Sequence, residues 1–191
     1  MTFVEGAGPD RSGSGDHAVS PEEYQAVVQV LHRYCRGVDR MDAGLTRSCF
    51  TPDAELVYGG VYRGEPAGFV DWLWPVHAAM IAHSHDVTNV IVDRRPDGSL
   101  GSEAYVVVTL RIDDGGEVVD LVSHGRYLDE WTLGRDPRIT RRRYVSTLSA
   151  ARPVTPRDLS RHFRVGPGAP VLRAARDAAD PSYDLFAGEA Q

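Results

Sequence analysis

The sequence predicts an α+β domain in which N-terminal helices pack on one face of a strongly curved, mostly antiparallel sheet. Three observations carry this prediction. Helical spacing of apolar residues is confined to residues 20–82. Residues 87–149 form long β-rich runs separated by tight turns. Helices that come first, with strands after them rather than between them, argue for segregated layers. The 191 residues suffice for one ordinary domain with tails. The expected division is a disordered leader over 1–19, a folded domain over 20–150, and a tail over 151–191 that partly wraps the domain or is disordered.

Met1 to Val19 is rich in Gly, Ser, Asp and Pro and has no period. Ser20-Pro21-Glu22-Glu23 is a strong helix start, with Ser20 as N-cap, Pro21 as first helical residue and Glu23 as capping-box acid. The helix is expected to run to Asp39, with Tyr24, Val27, Val28, Leu31, Tyr34, Cys35 and Val38 as its buried stripe. A short helix over Ala43 to Cys49 follows, and Pro52 stops it. Glu55 to Tyr58 and Val61 to Arg63 flank Gly59-Gly60 as a hairpin. Pro66 to Ala82 is helical in period, kinked or broken at Pro75. Val87 to Asp93, Ser102 to Ile112, Glu117 to Trp131 and Arg138 to Ser149 are the expected strands, the last three an antiparallel meander. Leu159 to Phe163 is a candidate short helix in the tail.

Composition excludes several functions. All 21 basic residues are arginine, so a lysine Schiff base, a Walker-A lysine and a Ser-Lys dyad are ruled out. The net charge of -6 and the brevity of Arg141-Arg142-Arg143 argue against nucleic acid. No apolar run would span a membrane and no basic-then-apolar signal opens the chain, so a cytoplasmic protein is expected. Cys35 and Cys49 lack CxxC spacing, and Cys35 reads as a small buried hydrophobe.

One acid stands out. Asp39 continues the apolar stripe of the first helix, where a carboxylate is costly unless compensated. It either turns to water or a backbone group at the helix end, or it orients a histidine. Of seven histidines, His77, His83, His85 and His124 are placed to answer. His83 and His85 share a face if the strand has already begun, which raises a metal site. A third ligand would then have to come from His124, Asp120 or Asp39. Asp120, Val122, His124 and Arg126 share one face of their strand, as a solvated outer row or a polar pocket wall. Tyr144 and Trp131 read as core or interface aromatics.

Tyr34-Cys35-Arg36-Gly37-Val38-Asp39-Arg40-Met41-Asp42, Phe50-Thr51-Pro52-Asp53-Ala54, Tyr62-Arg63-Gly64, His85-Asp86-Val87-Thr88-Asn89 and Gly125-Arg126-Tyr127-Leu128-Asp129 follow one another in this order. The series resembles the SnoaL-like family of the NTF2-like superfamily, whose members include scytalone dehydratase, hexachlorocyclohexane dehydrochlorinase, bile-acid dehydratase and polyketide cyclases. The resemblance covers roughly residues 20–150 and implies a cone-shaped α+β barrel around one pocket. It also implies a homodimer or homotrimer. By position it implies Asp39 as the family acid and His85 as its partner, with Tyr34 and Tyr58 as pocket tyrosines. Trp72-Leu73-Trp74-Pro75 is similar to the third helix of the dehydrochlorinase. A longer stretch between Trp74 and Asn89 leaves both His83 and His85 as candidates for the pocket position.

These residues suit one chemistry. A neutral imidazole accepts a proton near neutral pH, and a carboxylate on its far nitrogen fixes the tautomer. A tyrosine hydroxyl in a dry pocket can donate to a carbonyl as enolate charge develops. The expectation is therefore a lyase or isomerase, dehydratase or cyclase, acting on a polyketide- or steroid-like small molecule without cofactor or metal. His85, Asp39, Tyr34 and Tyr58 would be catalytic, with Asp120, His124, His83 and Trp74 contacting substrate. The composition fits a GC-rich genome and bacterial secondary metabolism such as antibiotic biosynthesis. The rivals are a non-catalytic ligand-binding module, an epoxide-opening hydrolase using Asp120 as second acid, and the small subunit of a ring-hydroxylating oxygenase.

Overall fold

The computed structural model describes residues 18–132, 134–157 and 173–186. The expected leader up to residue 17 and the short helix expected at Leu159 to Phe163 lie outside the described residues.

Helix α1 (Pro21–Asp39) begins as its capping chemistry dictates. The Glu23 N–H donates to Ser20 Oγ at 3.1 Å and the Ser20 N–H donates to the Glu23 carboxylate at 2.9 Å. Its buried face is Val27, Val30, Leu31, Tyr34, Cys35 and Val38, while Tyr24 on the first turn is exposed. Helix α2 (Ala43–Ser48) is capped by Asp42, whose Oδ1 accepts from the Leu45 N–H at 2.8 Å. A Cβ on Gly37 would lie 2.6 Å from Thr46 Oγ1, so only glycine lets these two helices approach so closely.

Strand β1 (Phe50–Tyr58) starts earlier than proline chemistry suggested. Its pairing is irregular between Phe50 and Glu55, and that interruption accommodates a Pro52 with no N–H to give. A turn with Gly59 at φ 55 leads into β2 (Tyr62–Gly64). Helix α3 (Pro66–Ala78) runs through Pro75 and stops one turn later, short of the expected Ala82. The released residues open strand β3 (Ala82–Arg94), so His83 and His85 lie in extended chain. Strands β4 (Leu100–Asp114), β5 (Glu117–Trp131) and β6 (Ile139–Pro153) complete the meander, the last running past residue 150.

The six strands form one sheet in the order β2-β1-β6-β5-β4-β3, antiparallel except for the parallel β1–β6 pair. It is an open sheet rather than a closed barrel, with β2 and β3 as its edges. Register shifts at Val87/Val90, His124/Gly125 and Glu130/Trp131 add bend. Helix α1 packs on β3, and α3 packs on β1 and β2, enclosing a core that includes Leu31, Tyr34, Phe50, Leu56, Phe69 and Tyr127.

Residues 173–186, ending in the short helix α4 (Ser182–Phe186), return to the ends of α1 and α3. Arg40 pairs with Asp180 at 3.0 Å, Arg176 donates to the His77 carbonyl at 2.7 Å, and the Tyr183 hydroxyl donates to Asp42 at 3.1 Å. Among the described residues no helix is long and apolar enough to cross a membrane.

Candidate active site

Asp39 is the last residue of α1, and the helix packs on β3, so its carboxylate reaches the start of that strand. The His85 backbone N–H donates to Asp39 Oδ2 at 3.1 Å, and His85 Nδ1 meets Asp39 Oδ1 at 2.8 Å. Both carboxylate oxygens are thus engaged by one residue, fixing the acid and the imidazole together. A carboxylate only accepts, so Nδ1 carries the hydrogen, and in the neutral ring Nε2 keeps its lone pair. The two side chains are 8% and 15% exposed, so the pair sits largely out of water.

His85 lines a cavity of about 350 Å³ together with Tyr34, Tyr58, Phe69, Trp72, His77, Tyr127 and Tyr144, closed by Val61, Leu73, Val108, Leu110 and Ser123. The Tyr34 and Tyr58 hydroxyls are 2.8 Å apart, and Tyr58 stacks between Phe69 at 4.7 Å and Tyr144 at 5.9 Å. Burial pushes the Tyr34 phenol well above its usual range. Tyr58 is raised for the same reason, although the Arg142 charge and the hydrogen bond from Tyr34 work in the other direction. Both therefore stay protonated as donors.

The structure brings His85, Tyr34 and Tyr58 to one cavity, with Asp39 bound to His85 behind its lining, and places other expected residues outside it. His83 shares the inner face with His85, but its Nε2 lies 3.2 Å from the Val38 carbonyl and its ring packs on His77 at 4.4 Å. It borders a separate recess with Ala82, Ser84, Thr109 and Arg111. Of the two candidate histidines, His85 is the one facing the cavity. The Trp74 indole donates to the Met41 carbonyl at 3.1 Å, fastening α3 to the end of α1, and does not line the cavity. Asp120 and His124 are on the other face of β5. Asp120 takes two hydrogen bonds from Arg111, at 2.6 and 2.7 Å, and His124 is exposed. The charged row of β5 lies on the face away from the cavity, because the alternate residues Ser123, Gly125 and Tyr127 point inward.

Tyr144, expected to be core or interface, is a cavity wall held by Ser123 Oγ at 2.8 Å from its hydroxyl. Its ring fits because residue 125 is glycine, where a Cβ would come within 2.5 Å of Tyr144. Gly125→Ala should push Tyr144 into the cavity and lower stability by about 1–3 kcal/mol, read from a urea melt.

His77 is a cavity residue that the helical period placed only on a buried face. It is 4% exposed, and its Nδ1 has no partner among the described residues. Burial, with His83, His85 and Arg176 nearby, lowers it from 6.5 to about 3. Cys35 and Cys49 are pushed up to about 12 and about 11 by burial, so neither thiol is poised as a nucleophile. Among the described residues no group of three His, Cys, Asp or Glu side chains is arranged to hold a metal ion.

The neutral His77 has a consequence for pH. The unfolded chain takes up this proton near 6.5 and the folded protein only near 3, so the unfolded state binds more protons between those values. Stability should fall as pH drops through that window, by at most about 1.4 kcal/mol per pH unit for this group. Denaturant titrations of His77→Gln over the same window should show a shallower decline.

Among solved structures, the chain is similar to a proposed aromatic ring hydroxylase from Novosphingobium aromaticivorans, at 22% identity and a TM-score of 0.62, covering 71% of this chain and 96% of the other. A proposed scytalone dehydratase from the same organism aligns at 17% identity and a TM-score of 0.60, over 70% and 89% of the two chains. The hexachlorocyclohexane dehydrochlorinase LinA-type3 from Novosphingobium barchaimii aligns at 17% identity and a TM-score of 0.59, over 70% and 94%. These identities speak for the fold alone. No curated protein matches the chain. A sequence profile of the SnoaL-like domain matches residues 20–143, which is well over half of the chain, and by that match this protein belongs to the SnoaL-like family.

Proposed function

We propose that this protein is a cofactor-independent lyase or isomerase, a dehydratase or cyclase, that removes a proton next to a carbonyl of a polyketide- or steroid-like substrate. The observation that carries the reading is the 2.8 Å contact between His85 Nδ1 and Asp39, which leaves Nε2 as a base in a cavity walled by aromatic rings. His85 Nε2 takes the proton from carbon, and the released electron pair moves onto the carbonyl oxygen. Asp39 stabilises the imidazolium that forms. Tyr58, hydrogen-bonded to Tyr34, donates to the oxygen as its charge grows. Loss of water or ring closure follows when His85 returns its proton to a leaving hydroxyl or to a new centre. The cavity of about 350 Å³ and its stacked aromatic walls suit a compact, uncharged, fused-ring substrate.

The epoxide-opening alternative asked for a second acid at Asp120, and that residue is bound to Arg111 on the outer face. A ligand-binding role would use the same cavity without turnover. The discriminating experiment incubates the protein with aromatic and polycyclic ketones in deuterated water. Deuterium incorporation beside the carbonyl, or elimination, supports the reading; binding with neither would replace it with the ligand-binding one. Because the proposed proton transfer draws on side chains alone, turnover should survive exhaustive treatment with EDTA. Activity lost to EDTA and restored by zinc or iron would overturn that part.

A further inference from the structure

We infer that Arg142 is a positioning residue for the Tyr34–Tyr58 pair: its buried guanidinium strengthens the pair, through Tyr58, as the donor to an oxygen that becomes negative in the cavity. The inference rests on the proton-transfer reading of the site.

Arg142 is fully buried on β6, opposite Leu56 of β1 and Asp129 of β5. Its Nε and Nη2 donate to the two Asp129 oxygens at 2.8 and 2.7 Å. The guanidinium carbon lies 4.2 Å from the Tyr34 ring centre and 4.0 Å from that of Tyr127. The remaining nitrogen, Nη1, is buried and makes no hydrogen bond of good geometry among the described residues. Asp129 therefore compensates one side of the charge, while aromatic rings rather than water surround the rest.

Scaffold stability does not account for a charge in this place. Taking an ion pair out of water costs about as much as the pairing returns, and apolar side chains of similar volume commonly do as well. Position offers an account. Tyr34 forms one wall of the guanidinium's enclosure and bonds the Tyr58 hydroxyl at 2.8 Å. The Arg142 charge draws both phenols down against the effect of burial. In a site of low dielectric such a fixed charge acts strongly on a nearby donor. The 2.8 Å contact lets either hydroxyl donate to the other, and when Tyr34 donates, the single Tyr58 hydrogen is free for the cavity.

The probe is 4-nitrophenol, whose phenol and phenolate forms absorb at different wavelengths. Bound to the full chain, it should ionise at lower pH than free probe. Exchanging the ion pair for apolar residues, Arg142→Met with Asp129→Leu, should reduce the preference for bound phenolate over bound phenol by about tenfold, one unit in the bound probe's pKa. Equal ionisation in the wild type and in a folded double variant would overturn the inference. Tyr58→Phe keeps the charge and removes the hydroxyl, so it should lose the preference as well. Full retention of phenolate in Tyr58→Phe would also overturn it, whether or not the double variant folds. These readouts do not need turnover. Normal catalysis by His85→Gln would sink the site reading, whereas unchanged probe ionisation sinks only the role of Arg142.

Discussion

His85→Gln should lower turnover by about 10²–10⁴-fold, because it removes the proton acceptor while keeping a side chain of similar reach. Asp39→Asn should cost the same or less. The amide can still meet the ring but cannot stabilise an imidazolium, and it can present the wrong hydrogen-bonding partner to Nδ1. The imidazole and the carboxylate are joined by one hydrogen bond, with a second from the His85 backbone N–H, and act as one unit, so the double variant should be hardly slower than His85→Gln alone. Steady-state kinetics on all three variants checks this, with circular dichroism and melting curves to confirm folding. Additive losses would mean separate roles. Normal turnover in His85→Gln would exclude His85 as the base and overturn this reading of the site.

The largest stability effect should come from breaking the Arg142–Asp129 pair on one side only. Arg142→Met leaves a carboxylate with no exposure and no counter-charge, and a loss of about 3–5 kcal/mol is expected. That is a large part of the roughly 5–15 kcal/mol that holds a domain of this kind together. Arg142→Met with Asp129→Leu should recover most of it, since no charge is then left unpaired. Urea melts of the single and double variants decide the matter. Equal destabilisation by the two would mean that packing against Tyr34 and Tyr127, rather than charge, is what the arginine supplies.

The sequence exposed the dyad because Asp39 interrupts an apolar stripe and His85 belongs to a motif in the expected order. Local chemistry likewise placed the capped start of α1 and the four long strands. What stayed hidden depended on register. Alternation divides the residues of β5 between two faces but does not say which face meets the cavity. The charged row of Asp120, His124 and Arg126 therefore read as either a solvated outer face or a pocket wall, while Gly125 and Tyr127 entered only as part of a motif and Ser123 not at all. Arg142 lay unmarked inside Arg141-Arg142-Arg143, where only the neighbouring strands decide which arginine turns inward. His77 was legible as buried, but its approach to His85, 5.8 Å between ring centres, needed the early end of α3 and the early start of β3.

The parallel pairing of β1 with β6 bears on how the chain is born as well as how it works. Leu56 finds its neighbour in Arg142, near the far end of the domain, so the centre of the sheet closes only after nearly all of it has left the ribosome. Contacts so distant along the chain slow folding, because a long loop must be ordered before they form. Until β6 arrives, the β1–β2 hairpin offers one side of β1 unpaired, an edge open to other chains. Nascent chains from which Ile139 has not yet emerged should accordingly aggregate or require a chaperone, whereas those with Pro153 clear of the ribosome can seat the strand that joins the two halves.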